Sequence, residues 1–320
     1  MNEASAVESP VAPTATEAPW DPPDRRRTLQ LALAALWFLD AVLQLQPFMF
    51  SRSFGPLMLG PTARGNPGIV AHSITDVSRS IGQHSVGANA AFVLVQFLIA
   101  FAIAHRPTVR LGLVLSVAWS LLVWWFGEGL GGVLAGTASP LTGAPGAVLL
   151  YAVLAVLLWP TARRPAAPCT AARLVGPPVA KVLWVAIWGW LAGIAFFGSP
   201  TRHPGTLLAG LEAGEPRWLA ALNRHAADLV ASRGPLLAVV VGLLFVVIAV
   251  AVFLPTRPAR VVLAVAMVVG LAIWVVGEDF GTVFSGSGTD PNSGPLLGLL
   301  AVAYWPLRRA GSRRWVEAAA

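Results

Sequence analysis

The chain has 320 residues, of which 56% are hydrophobic and only 12% are charged, and its mean hydropathy is +0.69. Soluble domains carry roughly 25% charged residues, so this composition excludes a water-soluble fold. The formal net charge of +7 comes from basic residues that flank apolar segments, which is the positive-inside pattern of membrane proteins rather than a nucleic-acid-binding surface.

Long apolar segments predict an all-α integral membrane protein with about eight transmembrane helices. Residues 1–24 are rich in Pro, Ala, Glu and Thr, so residues 1–27 are expected to form a disordered cytoplasmic tail. A cytoplasmic linker is expected at 161–179 and a basic cytoplasmic tail at 308–320. The transmembrane helices are expected at residues 28–48, 86–104, 109–127, 145–159, 180–198, 235–254, 258–277 and 295–305. Most Lys and Arg residues then lie on the side of the N-terminus, which places both termini in the cytoplasm of a bacterial cell.

The two halves of the chain share a pattern that predicts an internal duplication. Residues 28–160 and 180–307 would each form a four-helix repeat, and an even number of helices makes the repeats parallel. Each fourth helix follows a Gly-rich connection and ends in Trp-Pro. Six residues recur 150 positions later, since Trp124, Gly127, Glu128, Gly131, Val133 and Gly136 return as Trp274, Gly277, Glu278, Gly281, Val283 and Gly286.

The fourth and eighth predicted helices are too short to cross a hydrocarbon core of about 30 Å. Two explanations stay open, a re-entrant Gly-rich loop or a tilted short helix in a locally thinned bilayer. The long loops at 49–85 and 198–234 each contain an amphipathic stretch, at 66–83 and 215–232. These stretches predict helices on the outer surface of the membrane, or a lid over the bundle.

The paired segments WWFGEGLGGVLAGTASPLTGAPG and WVVGEDFGTVFSGSGTDPNSGP, each followed by a short helix ending in Trp-Pro, resemble uncharacterised multi-pass membrane proteins of actinobacteria. The resemblance covers most of the chain after residue 28. It implies a duplicated four-helix architecture in a bacterial plasma membrane, and it implies no activity.

Five polar residues are candidates for contact with a substrate or an ion. Asp40 lies near the middle of the first predicted span, where an acid costs about 2.5 to 3.5 kcal/mol and should face the bundle interior, and Gln44 lies one turn later. Glu128, Glu278 and Asp279 follow the third and seventh spans. Their carboxylates could bind a cation or relay protons, or they could accept hydrogen bonds from backbone amides of the loop that follows.

Metal and cofactor signals are weak. His72, His84, His203 and His225 lie in the long outer loops without the spacing of a ligand pair, so they are more readily explained as solvated residues than as metal ligands. The single cysteine, Cys169, excludes an intramolecular disulfide and a cysteine-rich cluster. No nucleotide-binding or hydrolase motif occurs, so no cofactor is assigned and an enzyme is less favoured than a non-enzyme.

The sequence favours a transporter or permeation-type protein for an ion or a small solute, because parallel repeats occur in transporters with sites at the repeat interface. The first alternative is a membrane enzyme, or a subunit of one, that binds metal, haem or quinone. The second is a non-catalytic partner in a membrane complex. The expected partners are the lipid bilayer and a membrane protein or a second copy of the chain, and no nucleic acid.

Overall fold

The computed structural model describes residues 25–161, 167–198, 216–231 and 233–307. Most of the predicted N-terminal tail, residues 162–166 of the predicted linker, His203 and the C-terminal tail lie outside these ranges. Within them the chain is helical and contains no β-strand. In the described residues the helices of ten residues or more are α1 (Arg25–Leu43), α2 (Gly68–Gln83), α3 (Ser85–Ala104), α4 (Val109–Phe126), α5 (Ala147–Leu157), α6 (Pro177–Phe197), α7 (Arg217–Ala231), α8 (Gly234–Ala249), α9 (Thr256–Ala272) and α10 (Ser293–Tyr304).

Five helical segments in the described ranges are long and apolar enough to cross a membrane. They contain α3, α4, α6, α8 and α9, and the last two are extended by short turns to Phe253 and Gly277. Helix α1 has 19 residues but contains three arginines and Asp40, so its charge keeps it out of this group. The chain is therefore an all-helical membrane protein with at least five helices of spanning length.

Helices α5 and α10 are shorter, with 11 and 12 residues, or about 17 and 18 Å. Most of their residues are buried, from Ala147 to Leu157 and from Ser293 to Tyr304. Longer helices therefore surround them and shield their backbone. This position suits helices that are too short to cross a hydrocarbon core of about 30 Å unaided.

The same helix pairs pack in each half of the chain. Helix α1 packs on α3 and α4 on α5, while α6 packs on α8 and α9 on α10. Helices α5 and α10 meet at the centre and join the halves through one hydrophobic core. Trp184 and Trp188 of α6 are fully buried in that core, and the Trp184 ring lies 4.7 Å from the ring of Tyr304. These two tryptophans are packing residues, with no free face for a ligand.

Polar side chains at the start of α1 hold the ends of three helices together. Arg27 donates hydrogen bonds to the carbonyl oxygens of Ile103, at 2.9 Å, and Ala104 at the C-terminal end of α3. Gln30 donates to the carbonyl oxygen of Leu158 at the end of α5, at 2.8 Å. Carbonyl groups at a helix C-terminus have no partner within the helix, and a cation satisfies them well.

The Gly-rich connections cross from one half to the other. The carbonyl oxygen of Gly288, in the second connection, accepts a hydrogen bond of 2.9 Å from Gln46 of the first half. In the first connection, the backbone of Gly143 lies directly against Asn292 and Glu278 of the second half. Gly143 has a φ of +79°, and a Cβ there would collide with the Asn292 carboxamide. Close approach of the halves at this point therefore requires glycine.

We predict that Gly143→Ala destabilises the folded protein more than Gly136→Ala does. Both glycines belong to the first connection and have positive φ values, +79° and +69°, so alanine strains the backbone by about 1–2 kcal/mol at either position. No atom lies within 4 Å of a Cβ at Gly136, whereas Gly143 faces the other half. The collision should add about 1–3 kcal/mol. Thermal unfolding of the two variants in detergent measures the difference, and equal melting temperatures would contradict this account of the contact.

Candidate functional site

Each half contains a glutamate that binds the N-terminus of the following short helix. Glu128 follows α4, and its Oε1 accepts a hydrogen bond of 3.2 Å from the backbone N–H of Val148, with a further contribution from Ala147. Glu278 follows the α9 segment and accepts from the N–H groups of Ser293 and Gly294, at 3.2 and 2.9 Å, and from the Ser293 hydroxyl. The first N–H groups of a helix lack partners within the helix, and a carboxylate there also interacts favourably with the helix dipole.

The two glutamates differ in whether one of their carboxyl oxygens is left without a hydrogen-bond partner. Both carboxyl oxygens of Glu278 accept hydrogen bonds, and the residue is 3% exposed. Glu128 uses Oε1 for α5, but its buried Oε2 has no hydrogen-bond partner. Both oxygens of Glu278 therefore serve to hold the N-terminus of α10 in place. Glu128 holds α5 with Oε1, its Oε2 lies buried beside Gly146, and the residue lines an adjoining cavity.

This cavity has a volume of about 320 Å³ and lies where α1, α3 and α4 meet the Phe54–Leu59 segment and α2. Val77 and Ile81 of α2 contribute to its wall, as expected of a helix that covers the bundle. The residues that line the cavity are Trp37, Asp40, Gln44, Phe54, Met58, Leu59, Val77, Ile81, Phe92, Gln96, Trp119, Leu122, Val123, Phe126, Gly127, Glu128, Val148, Thr289 and Asp290. The last two come from the second half of the chain, so the two halves build the cavity together.

Asp40 is the carboxyl that the sequence places near the middle of the first predicted span, but α1 ends at Leu43, so Asp40 lies in the last turn of that helix. It is 2% exposed, and its Oδ1 has no hydrogen-bond partner. The Tyr151 side chain of α5 interacts with the Asp40 carboxyl. The neighbouring Trp37 donates a hydrogen bond of 2.9 Å to the Ser116 hydroxyl and packs its ring 4.4 Å from that of Tyr151. Rigid packing on α4 and α5 therefore holds this face of α1 toward the cavity.

Asp290 reaches the cavity from the second connection. Its carboxyl oxygens accept hydrogen bonds from the Thr289 hydroxyl, at 2.9 Å, and from the Asn292 backbone N–H, at 2.7 Å, which fixes a tight turn. Burial raises the pKa of Asp290. Its charge acts on both Asp40 and Glu128, so carboxyls from both halves share one region of low dielectric.

Burial raises the pKa of Glu128 from its ordinary value of 4.5 to about 8, and the nearby Asp290 charge adds to the rise. Burial also raises the pKa of Glu278 to about 7, while hydrogen bonds from Ser293 and Gly294 partly oppose that shift. A carboxyl that titrates near neutral pH can bind and release a proton under physiological conditions. Glu128 can therefore exchange a proton at the cavity.

Of the sequence-predicted residues, the structure brings together Asp40, Gln44 and Glu128. Glu278 is not among the residues that line the cavity, and its carboxyl binds the N-terminus of α10. Asp279 points elsewhere and accepts a hydrogen bond of 3.2 Å from Asn223 of α7. The backbone N–H of Gln44 donates to the Asp40 carbonyl oxygen at 2.9 Å, but the side-chain oxygens Asp40 Oδ1 and Gln44 Oε1 have no hydrogen-bond partner.

The histidine candidates for metal binding do not converge. His72, His84 and His225 are exposed, on α2, at the α2–α3 junction and on α7, and His84 contacts only the carbonyl oxygen of Ser80 in its own helix. Within the described ranges, no three His, Cys, Asp or Glu residues lie close enough to hold a metal ion. His203 lies outside those ranges. The arrangement of the described side chains thus gives no support to these three histidines as a metal site.

Sequence reasoning missed Gln96 and Trp119. Gln96 of α3 is 8% exposed and its Oε1 has no hydrogen-bond partner, while the buried Trp119 Nε1 of α4 also lacks one. A signal for Gln96 exists, since it is an amide inside an otherwise strongly apolar span with a mean hydropathy of 2.2. Trp119 has no such signal, because tryptophans are abundant in this chain.

No protein-family model, no curated protein and no solved structure matches the chain. The resemblance to actinobacterial membrane proteins therefore stays a prediction.

We predict that thermal stability falls as the pH rises from 5 to 8. A carboxyl whose pKa is higher in the folded than in the unfolded protein binds extra protons when folded, so its stabilising contribution is complete below about pH 4.5 and is lost as pH rises through the folded value. Glu278 stops contributing to the slope near pH 7 and Glu128 near pH 8. Between pH 7 and 8 the slope should therefore belong mainly to Glu128.

Glu128→Gln should reduce the slope of the melting temperature between pH 7 and 8 more than Glu278→Gln does, and the effect of Glu278→Gln should be largest below pH 7. Each titrating glutamate contributes a limiting slope of about 1.4 kcal/mol per pH unit. Scanning fluorimetry in detergent across this range is the measurement. A Glu128→Gln protein with the wild-type slope between pH 7 and 8 would show that Glu128 is already ionised.

Proposed function

We propose that this chain is a plasma-membrane transporter or permeation-type protein that binds an ion or small solute in the cavity beside Asp40. In this proposal eight helices cross the membrane as two parallel four-helix repeats, and both termini are cytoplasmic. The observation that carries the proposal is a nearly fully buried carboxyl with an unpartnered oxygen facing a cavity that both halves line. An intramembrane acid is costly, and such residues usually mark a substrate or ion pathway.

The proposed duplication is supported by three features of the packing. The same helix pairs pack in both halves, a glutamate at matching positions binds the N-terminus of each short helix, and each connection contacts the opposite half. Substrate sites in transporters with repeats lie where the repeats meet. The cavity lies mainly within the first proposed repeat and borders the second, whose Thr289 and Asp290 complete its wall.

The proposed orientation places the cavity toward the outer face. Helix α1 starts at three arginines, which the positive-inside rule assigns to the cytoplasm, and Asp40 lies in its last turn. Glu128 follows the end of α4, which runs in the same direction under this topology. The solute would therefore enter from outside beneath α2.

The topology predicts opposite accessibility for two introduced cysteines. Thr137 and His105 are both exposed, at the Gly-rich connection and at the α3–α4 turn, and the native Cys169 is buried, which keeps its labelling low. In intact cells an impermeant maleimide should label Thr137→Cys but label His105→Cys only after permeabilisation. The reverse pattern would invert the proposed orientation, and labelling of both in intact cells would contradict the odd number of crossings between them.

The transport proposal predicts a substrate-dependent current that requires Asp40. Purified protein in liposomes on a solid-supported membrane is challenged in turn with gradients of protons, alkali cations and small organic solutes. Asp40→Asn should abolish the current and Glu128→Gln should reduce it at least tenfold. Asp279→Asn is the matched control, because it also changes a buried carboxyl but lies outside the cavity. A current that survives Asp40→Asn would remove the cavity from the pathway.

The redox alternative is tested on the same preparation. Stoichiometric copper or iron by elemental analysis, or a haem Soret band, together with no current for any solute, would overturn the transport proposal in favour of a membrane redox enzyme or subunit. Protein that carries neither and conducts nothing, but purifies with a constant membrane partner, would favour the assembly role.

A further inference from the structure

The polar groups of the cavity are complementary to a ligand that donates hydrogen bonds. Three lining side chains, Asp40, Gln44 and Gln96, are only 2%, 4% and 8% exposed, and each has an acceptor oxygen without a partner. Among the described lining side chains, the indole N–H of Trp119 is a donor that also lacks a partner. A buried acceptor without a donor loses its hydrogen bond to water and gains none in exchange, which is energetically unfavourable. The cavity therefore calls for several N–H or O–H groups from its occupant.

The charge of the cavity selects among such ligands. Asp40, Glu128 and Asp290 contribute carboxyls, and no Lys, Arg or His lines the cavity within the part of the chain that the structure describes. An anionic ligand would meet like charges in a low dielectric, which is strongly unfavourable. A cation supplies the opposite charge that a buried carboxylate requires.

The other residues that line the cavity favour an organic cation over a bare metal ion as the ligand. Rings of Trp37, Phe54, Phe92, Trp119 and Phe126 line the cavity, and Phe92 and Trp119 pack 5.5 Å apart. Aromatic faces attract ammonium groups and also pack on an apolar body. The described carboxyls do not form a group of three that could hold a metal. The volume of about 320 Å³ lies at the lower end of the range for small-molecule pockets, about 300–1,000 Å³.

We propose that the cavity binds a small primary ammonium cation with an apolar body, its N–H groups directed to Asp40, Gln44 and Gln96 and its body against the aromatic wall. A primary ammonium offers three N–H donors, one for each of the Asp40, Gln44 and Gln96 oxygens, and the Oε2 of Glu128 is a fourth acceptor without a partner in the same wall. This inference rests on the proposed function in that it names the substrate class of the same cavity. Binding is an equilibrium property, so it is measured without transport.

The test is isothermal titration calorimetry of the purified full-length protein in detergent with four probes of similar size. Butylammonium should bind saturably, and butyltrimethylammonium, which has the charge but no N–H donor, should bind at least tenfold more weakly. Butanol and butyrate should show no saturable binding. Equal affinity for butylammonium and butanol would overturn the charge requirement, and equal affinity for the two cations would overturn the donor requirement.

The variants locate the site. Asp40→Asn should weaken butylammonium binding at least tenfold and Gln96→Leu several-fold, with Asp279→Asn unchanged as the matched control. Gln96→Leu keeps the test decisive if Asp40→Asn fails to fold, since wild-type affinity in that variant contradicts the proposal.

The outcomes separate this inference from the transport proposal. If the wild-type protein binds butylammonium, the variants lose this binding, and no solute gives a current, the ligand class is supported and the transport proposal is overturned. If another solute gives a current that depends on Asp40, and butylammonium does not bind, the transport proposal is supported and the ligand class is overturned.

Discussion

The architecture depends on the hydrogen bonds between a glutamate carboxyl and the N-terminus of a short buried helix. Helices α5 and α10 are too short to carry their own ends to water, so their first N–H groups need acceptors inside the protein, and at α10 the Asn292 side chain supplies one of them. Glu128 and Glu278 supply acceptors from the end of the preceding helix. Because each glutamate and its helix are separated by a Gly-rich connection, the bond also fixes the path of that connection. The close contacts between the halves follow from this path.

The same carboxyl interaction has different consequences in the two halves. In the second half both oxygens of Glu278 bind α10, and α6, which corresponds to α1 in its packing, contains no acid and fills the core with Trp184 and Trp188. In the first half Glu128 keeps one oxygen free and α1 contributes Asp40. The cavity that contains Asp40 and Glu128 is therefore built mainly by the first half, whereas α6 of the second half contributes buried tryptophans to the core. In the proposed duplication, the second repeat stabilises the bundle and contributes Asp290 to the cavity in the first repeat.

The site combines features that oppose stability. Several buried acceptors lack donors, and carboxyls from three segments share a space without a basic residue. Such unsatisfied groups persist when the surrounding packing over-determines them and when a ligand or a proton supplies the missing partner. The indole of Trp37, tied to Ser116 and packed on Tyr151, provides that packing on one side, and the Phe92–Trp119 pair provides it on another. Binding of a cation or a proton would supply the missing donor and reduce the repulsion between the carboxyls.

The sequence by itself determined the helical membrane class and the positions of the five long apolar helices, because apolar length is a local signal. It also predicted Asp40 and the paired glutamates as candidate site residues, because an acid in or beside an apolar span is a local signal too. Tertiary structure alone decided that Glu128 and Glu278 bind helix termini, that only Glu128 faces a cavity, and that Gln96, Trp119 and Asp290 join it. These residues are far apart in the chain, and an amide or an indole is not marked by position in sequence. Hydrogen-bond partners across a bundle depend on helix rotation and loop path, which residue spacing does not encode.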